Sequence, residues 1–156
     1  MSARSSTHAS FVIERVFAAA PARVFDAWSR VDNKARWFIG PDTWTLLERS
    51  LDFRVGGAEV LKGAFAGGMV TTFHARYHDI VAGQRILYAY AMHIDDRRIS
   101  DSLGTVEFLA DGHGTRLIYT EQAVFLDGFV DGGGRQQGTN ALFDKLAASL
   151  EGVVAE

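Results

Sequence analysis

A chain of 156 residues that is 47% hydrophobic and 22% charged is the size of one ordinary domain with a core of its own, and its net charge of −3 without any basic stripe argues against a nucleic-acid partner. No cysteine is present, which excludes disulfides, thiolate metal sites and cysteine nucleophiles and suits a reducing cytosol. No stretch approaches the ~18 apolar residues of a membrane span, and the first ten residues lack the apolar run of a secretion signal, so a cytoplasmic protein without membrane insertion is expected.

Residues 1–9 are small and polar and read as a disordered tail, with residues 10–156 forming a single domain. Ser10–Ala18 is rich in β-branched and aromatic residues and predicts a strand. Pro21 suits the first turn of a helix, and Val24, Phe25 and Trp28 recur at helical spacing, so a short helix is predicted over 21–30. Asp32 or Asn33 is placed to cap a second short helix through Phe38, which Gly40-Pro41 ends.

From Trp44 the period changes to two. Trp44–Arg54, Ala58–Phe65, Met69–Val81, Arg85–Ile94, Ile99–Ala110 and Thr115–Phe125 read as strands, separated by turn signals at Gly56-Gly57, Gly67-Gly68, Gly83, Asp95-Asp96 and Asp111–Gly114. The short separators predict an antiparallel sheet joined by hairpins, because parallel neighbours need long crossovers. After Gly132–Gly134, residues Gly138, Leu142, Leu146 and Leu150 recur every fourth position, with Phe143 and Ala147 widening the stripe. The pattern predicts a long last helix, with Gly138 allowing a close approach and the glycine run acting as a hinge. The fold class is therefore α+β: a curved antiparallel sheet of about seven strands wrapped around a long C-terminal helix, with two short helices after the first strand.

Several motifs carry a family likeness. Ala20-Pro21 with Val24, Phe25 and Trp28, then Arg36-Trp37-Phe38 with Gly40-Pro41, then Asp52–Gly57 (DFRVGG) and Gly114–Leu117 (GTRL) together span nearly the whole chain from residue 10. They resemble the START-like (SRPBCC) superfamily, in particular the group named after the activator of a heat-shock chaperone ATPase. Tyr119–Gln122 (YTEQ), Phe125–Gly128 (FLDG) and Arg135 with Gly138-Thr139 resemble a bacterial subgroup of it. The resemblance implies the helix-grip fold and a cavity between sheet and last helix. It leaves the activity open, since members range from binders of lipids and other hydrophobes to polyketide cyclase-like enzymes.

The pocket expected on these grounds is lined by Trp37, Phe38, Trp44, Phe73, Tyr88, Tyr90, Met92, Tyr119, Glu121, Leu142, Phe143 and Leu146. Tyr88, Tyr90 and Met92 alternate on one strand and so share a face. Trp37, Phe38 and Trp44 are expected to gate the cavity mouth, whereas Trp28 reads as core. Glu121 follows Tyr119 on one face and is the candidate catalytic acid or base, if it is buried and not paired with an arginine. Asp127 and Asp131 read as turn and helix-cap residues, and Asp52 with Arg54 as a structural pair at the Gly56-Gly57 turn. His74 and His78, four apart on a strand, lie roughly 13 Å from each other and do not suggest a metal site. The leading expectation is a binder of a small hydrophobic or aromatic molecule in a closed apolar cavity, without a cofactor. A cyclase or dehydratase using Glu121 is the first alternative, and a module acting on a chaperone ATPase the second. Exposed edge strands leave room for a homodimer.

Overall fold

The computed structural model of the chain describes residues 4–154. Its elements run β1 (Ser6–Phe17), α1 (Pro21–Ser29), α2 (Val31–Lys34), β2 (Thr45–Leu51), β3 (Ala58–Ala64), β4 (Val70–Val81), β5 (Arg85–Ile94), β6 (Arg97–Asp111), β7 (Gly114–Leu126) and α3 (Gly134–Val154). The seven strands form one curved antiparallel sheet in the order β1-β7-β6-β5-β4-β3-β2. Every neighbour from β2 to β7 is reached by a short connection. β1 instead pairs with β7, so α1 and α2 carry the chain from one edge of the sheet to the other. Bulges at Leu46/Glu48, Tyr77/Asp79 and Met92/His93 add local bend to the outer and central strands.

The expected tail is shorter than residues 1–9. Ser6–Ala9 belong to β1 and pair with Leu126–Ala123. Their polar side chains point to solvent while the backbone satisfies its ladder, so side-chain composition there concealed a strand. Asp127 secures the same end: its carboxylate accepts from the Ser5 backbone N–H at 3.2 Å and pairs with Arg4 at 2.8 Å. Residues 1–3 lie outside the described residues.

The second helix also differs from its expectation. It begins at Val31, one residue before Asp32, with Arg30 at the N-cap position and no side-chain cap. Regular helix stops at Lys34, and the chain turns on through Phe38, whose N–H donates to the Lys34 carbonyl at 2.8 Å. Asp131 does cap α3, accepting from the Arg135 backbone N–H at 2.9 Å.

The core lies at one end of the grip. Val24, Phe25, Ala27 and Trp28 of α1 are buried, with Phe25 edge-on to Phe108 at 5.3 Å and Trp28 5.9 Å from Phe143 of α3. Each large apolar side chain buried here contributes on the order of 1.5–3 kcal/mol. Phe143, Leu146 and Leu150 fix the second half of α3 in this core. Arg15 of β1 reaches the Asn140 carbonyl at 2.9 Å, and Arg23 of α1 reaches the Leu150 carbonyl at 2.8 Å. Residues 134–141 of α3 add no side chain to this core: Gly134, Gly138 and Ala141 are exposed, and a Cβ built at Gly138 would meet nothing within 4 Å. Gly138 therefore serves open space, where a close approach was expected.

Candidate functional site

Between the inner face of the sheet and the first half of α3 lies a cavity of about 910 Å³. That is within the usual range for small-molecule sites. Trp37, Phe38, Trp44, Phe73, Tyr88, Tyr90, Met92, Tyr119, Glu121, Leu142 and Phe143 all line it. Leu146 does not; it is fully buried in the core below. The strand period brings most of these residues together. Phe73 of β4, Tyr88 and Tyr90 of β5, and Tyr119 and Glu121 of β7 all point inward.

The cavity is open, where a sealed one was expected. Exposed Pro41 and Asp42 line it on one side and exposed Gly138 and Ala141 on the other, so its mouth lies between the loop after α2 and the first half of α3. Lys145 of α3 reaches across to this loop, donating to the carbonyls of Ile39 at 3.1 Å and Gly40 at 3.2 Å. Trp44 lies against both Gly40 and Gly63, where a Cβ on either would overlap its indole. Trp44 thus lies beside the mouth, where a gate was expected. Trp37 does not: it is 2% exposed, its Nε1–H donates to the Ala27 carbonyl at 2.8 Å, and it packs 4.7 Å from Trp28. Its helical spacing with Lys34 turns it inward, to the wall shared with the core.

Two buried polar clusters interrupt the aromatic lining. The first is centred on Glu121, which is 1% exposed. Tyr119 donates to Oε1 at 2.6 Å, Tyr90 lies 3.0 and 2.9 Å from the two oxygens, and Arg135 Nη1 donates to Oε2 at 3.1 Å. Arg135 also reaches Ser102 at 3.2 Å and, through Nη2, Ser100 at 2.9 Å. The Tyr88 hydroxyl donates to that of Tyr119 at 3.3 Å. Gly104 makes this meeting feasible: a Cβ there would fall 2.8 Å from the Tyr88 ring and 3.1 Å from the Tyr119 hydroxyl. Burial works against the Arg135 charge, but Tyr90 and Glu121 outweigh it and hold the guanidinium above its ordinary value. Burial, then the Glu121 carboxylate, pushes the Tyr90 hydroxyl well up; burial and Tyr88 do the same to Tyr119.

This geometry bears on the acid or base expectation. Glu121 is buried, as that role requires, but it is paired with an arginine. A carboxylate has about four lone-pair sites, and three donors, Tyr90, Tyr119 and Arg135, converge on them. Arg135, by contrast, keeps donors in hand: among the described residues, its Nε–H has no partner. The sequence reading had placed Arg135 only within the family likeness. Its position in the first turn of a helix that overhangs a sheet was the available signal.

The second cluster lies at the wall formed by α1 and α2. Lys34 is 3% exposed and lines the cavity. Its Nζ lies 2.6 Å from Glu59 Oε1 and 3.5 Å from the Tyr77 hydroxyl, which itself donates to Glu59 at 2.6 Å. Burial lowers the Lys34 amine from its ordinary value, and Glu59 opposes that shift only in part. This cluster was missed, because lysine and glutamate on short amphipathic elements usually face solvent. His74 and His78 are both exposed on the outer face of β4. Arg54 pairs with Asp52 at 2.9 Å beside the turn, where Gly56 has a φ of 85°.

A curved sheet gripping one long helix, with a part-open aromatic cavity between them, defines a START-like helix-grip protein. The chain belongs to the family described as Activator of Hsp90 ATPase homolog 1-like protein, whose model matches residues 18–151. Solved structures agree. A protein from Rhizobium leguminosarum is 47% identical, with 96% of this chain and 98% of that one covered and a TM-score of 0.92. The Mll3558 protein from Rhizobium loti is 43% identical, covering 93% and 99%, with a TM-score of 0.86. An AHSA1-like protein from Aeromonas hydrophila, at 21% identity and a TM-score of 0.72 over 95% and 96%, shares the fold. No curated protein matches the chain. No helix among the described residues is long and apolar enough to cross a membrane.

Proposed function

We propose that the protein binds a small, flat, uncharged aromatic molecule bearing a hydroxyl or carbonyl group, and that this group sits at the Arg135–Tyr90–Tyr119 cluster. The carrying observation is a roughly 910 Å³ aromatic cavity whose buried charges are already matched, Arg135 with Glu121 and Lys34 with Glu59. A charged guest would gain no unpaired counter-charge there and would lose its hydration. A neutral guest buries its rings against Phe73, Tyr88 and Tyr90 and meets the spare donors of Arg135. Glu121 already accepts from three donors and is paired with Arg135, and this favours binding over the cyclase reading. The chaperone reading draws on the family description alone. The proposed setting is the cytosol, with entry between the Ile39–Asp42 loop and α3.

Fluorescence titration with 2-naphthol tests the reading, with 2-naphthalenesulfonate as the charged counterpart. Saturable binding of the neutral probe is expected, weakened about tenfold or more in Arg135→Met, as loss of a hydrogen bond to a charged group implies. No saturation, or tighter binding of the sulfonate, would remove the proposal.

A further inference from the structure

We infer that Lys34 is a reactive amine, and that it holds a small aromatic aldehyde or ketone in the cavity as a reversible imine. The inference rests on the cavity admitting an aromatic guest, as proposed above, but concerns the opposite polar cluster and a different chemistry.

Lysine occurs only at positions 34, 62 and 145. Lys34 alone of these is buried, and it lines the cavity. The amine lies 4.8 Å from the Phe38 ring centre and 5.5 and 5.9 Å from those of Trp28 and Trp37. On its polar side stand Glu59 at 2.6 Å and the Tyr77 hydroxyl at 3.5 Å. An apolar pair of similar volume would stabilise the fold as well or better than a buried ion pair, so stability alone does not account for an amine there. A lysine in a desolvated aromatic site, next to a carboxylate that can take and return its proton, has what imine formation requires.

The proton balance closes within the cluster. The Lys34 ammonium gives one proton to Glu59 and becomes a neutral amine. Its nitrogen lone pair attacks the carbonyl carbon, and the carbonyl oxygen becomes the hydroxyl of a carbinolamine as a nitrogen proton moves to it. Glu59 then returns its proton to that hydroxyl, which departs as water, leaving a protonated imine opposite the Glu59 carboxylate. The charges at the end equal those at the start, and no oxidant or reductant is needed. The Trp28 ring that flanks the amine carries a buried indole N–H with no partner among the described residues, a donor suited to the oxygen during this step. Burial lowers the amine below its ordinary value, and the nearby Arg49 adds to that, against the pull of Glu59. The shift enlarges the neutral fraction, the form that attacks a carbonyl.

The test is reductive trapping of the intact protein with benzaldehyde and cyanoborohydride at neutral pH, read by intact mass and peptide mapping. Lys34 is expected to be labelled about tenfold or more faster than Lys62 or Lys145, since it alone is desolvated beside a carboxylate that relays its proton. In the urea-unfolded chain all three should label alike. Labelling of Lys62 and Lys145 with Lys34 untouched overturns the inference, as does an absence of any adduct. Titration with 2-naphthol separates it from the reading it rests on. Saturation by 2-naphthol without Lys34 labelling sinks the imine and leaves the binding proposal standing. Selective labelling without 2-naphthol binding does the reverse.

Discussion

The Arg135 guanidinium of α3 lies 3.1 Å from the Glu121 carboxylate of β7, an ion pair that ties the overhanging half of the last helix to the floor of the cavity. Their side chains are 12% and 1% exposed, so neither charge is well solvated if the other is removed. Arg135→Met is expected to lower stability by about 3–5 kcal/mol, because it leaves a buried carboxylate facing two tyrosines. Adding Glu121→Leu should recover most of that loss, since the apolar pair requires no desolvation. Urea denaturation of both single variants and the double variant measures this. A double variant whose loss equals the sum of the two single losses would show that the two side chains are not coupled.

Gly104→Ala tests how tightly the tyrosine layer is fitted. The new methyl would press on the Tyr88 ring at 2.8 Å and on the Tyr119 hydroxyl at 3.1 Å. Both rings are buried, so neither can swing aside freely. The expected penalty is about 1–3 kcal/mol, the range for overpacking a filled interior. Binding of 2-naphthol should weaken with it, because displaced tyrosines enter the cavity. Unchanged stability together with unchanged binding would mean that the layer tolerates the extra volume.

The strands and the long helix were legible because their periods differ and glycines or aspartates mark most turns. Asp95, with a φ of 52°, turns β5 into β6 as its dipeptide suggested. The inward face of β5 was equally legible: Tyr88, Tyr90 and Met92 alternate, and all three line the cavity. What could not be read was anything set by long-range packing. Leu146 and Leu142 share one stripe, yet α3 docks so that Leu146 enters the core and Leu142 the cavity. Trp37 and Trp44 flank one loop, yet one is buried in the wall and the other lies beside the mouth. Lys34 and Glu59 are 25 residues apart and meet only once β3 and α2 fold together.

Alkaline pH should unfold the protein cooperatively. All four tyrosines, Tyr77, Tyr88, Tyr90 and Tyr119, are buried on the inner face. Burial holds each hydroxyl above its ordinary value, with Glu59 adding to it at Tyr77. Above pH about 10 the unfolded chain releases these protons and the folded chain keeps them. The folded state then binds more protons, so stability falls as pH rises, by up to about 1.4 kcal/mol per unit for each tyrosine. Lys34 acts oppositely. Its folded value lies below the ordinary one, so it adds stability as pH rises through that interval and nothing above about 10.4. Phenolate absorbance should therefore appear in one step, together with loss of near-ultraviolet circular dichroism. Gradual phenolate formation in a chain that keeps its tertiary signal would contradict the buried layer.

Lys145 offers a way to loosen the mouth while leaving the cavity's inner wall in place. Its amine donates to the carbonyls of Ile39 and Gly40, and these contacts join α3 to the loop that carries Trp44. Lys145→Ala removes both at a stability cost of about 1 kcal/mol, as expected for partly exposed hydrogen bonds. The loop keeps its own turn, in which the Trp44 N–H donates to the Pro41 carbonyl at 2.8 Å, so the change should be one of opening and not of refolding. Hydrogen exchange should quicken at residues 39–44 and stay unchanged in β5, β6 and β7. A bound aromatic probe should leave faster, with its arrival rate little altered or raised. If exchange in the loop and probe release both match the unaltered chain, entry does not run past Trp44, and the first half of α3 becomes the segment that must lift.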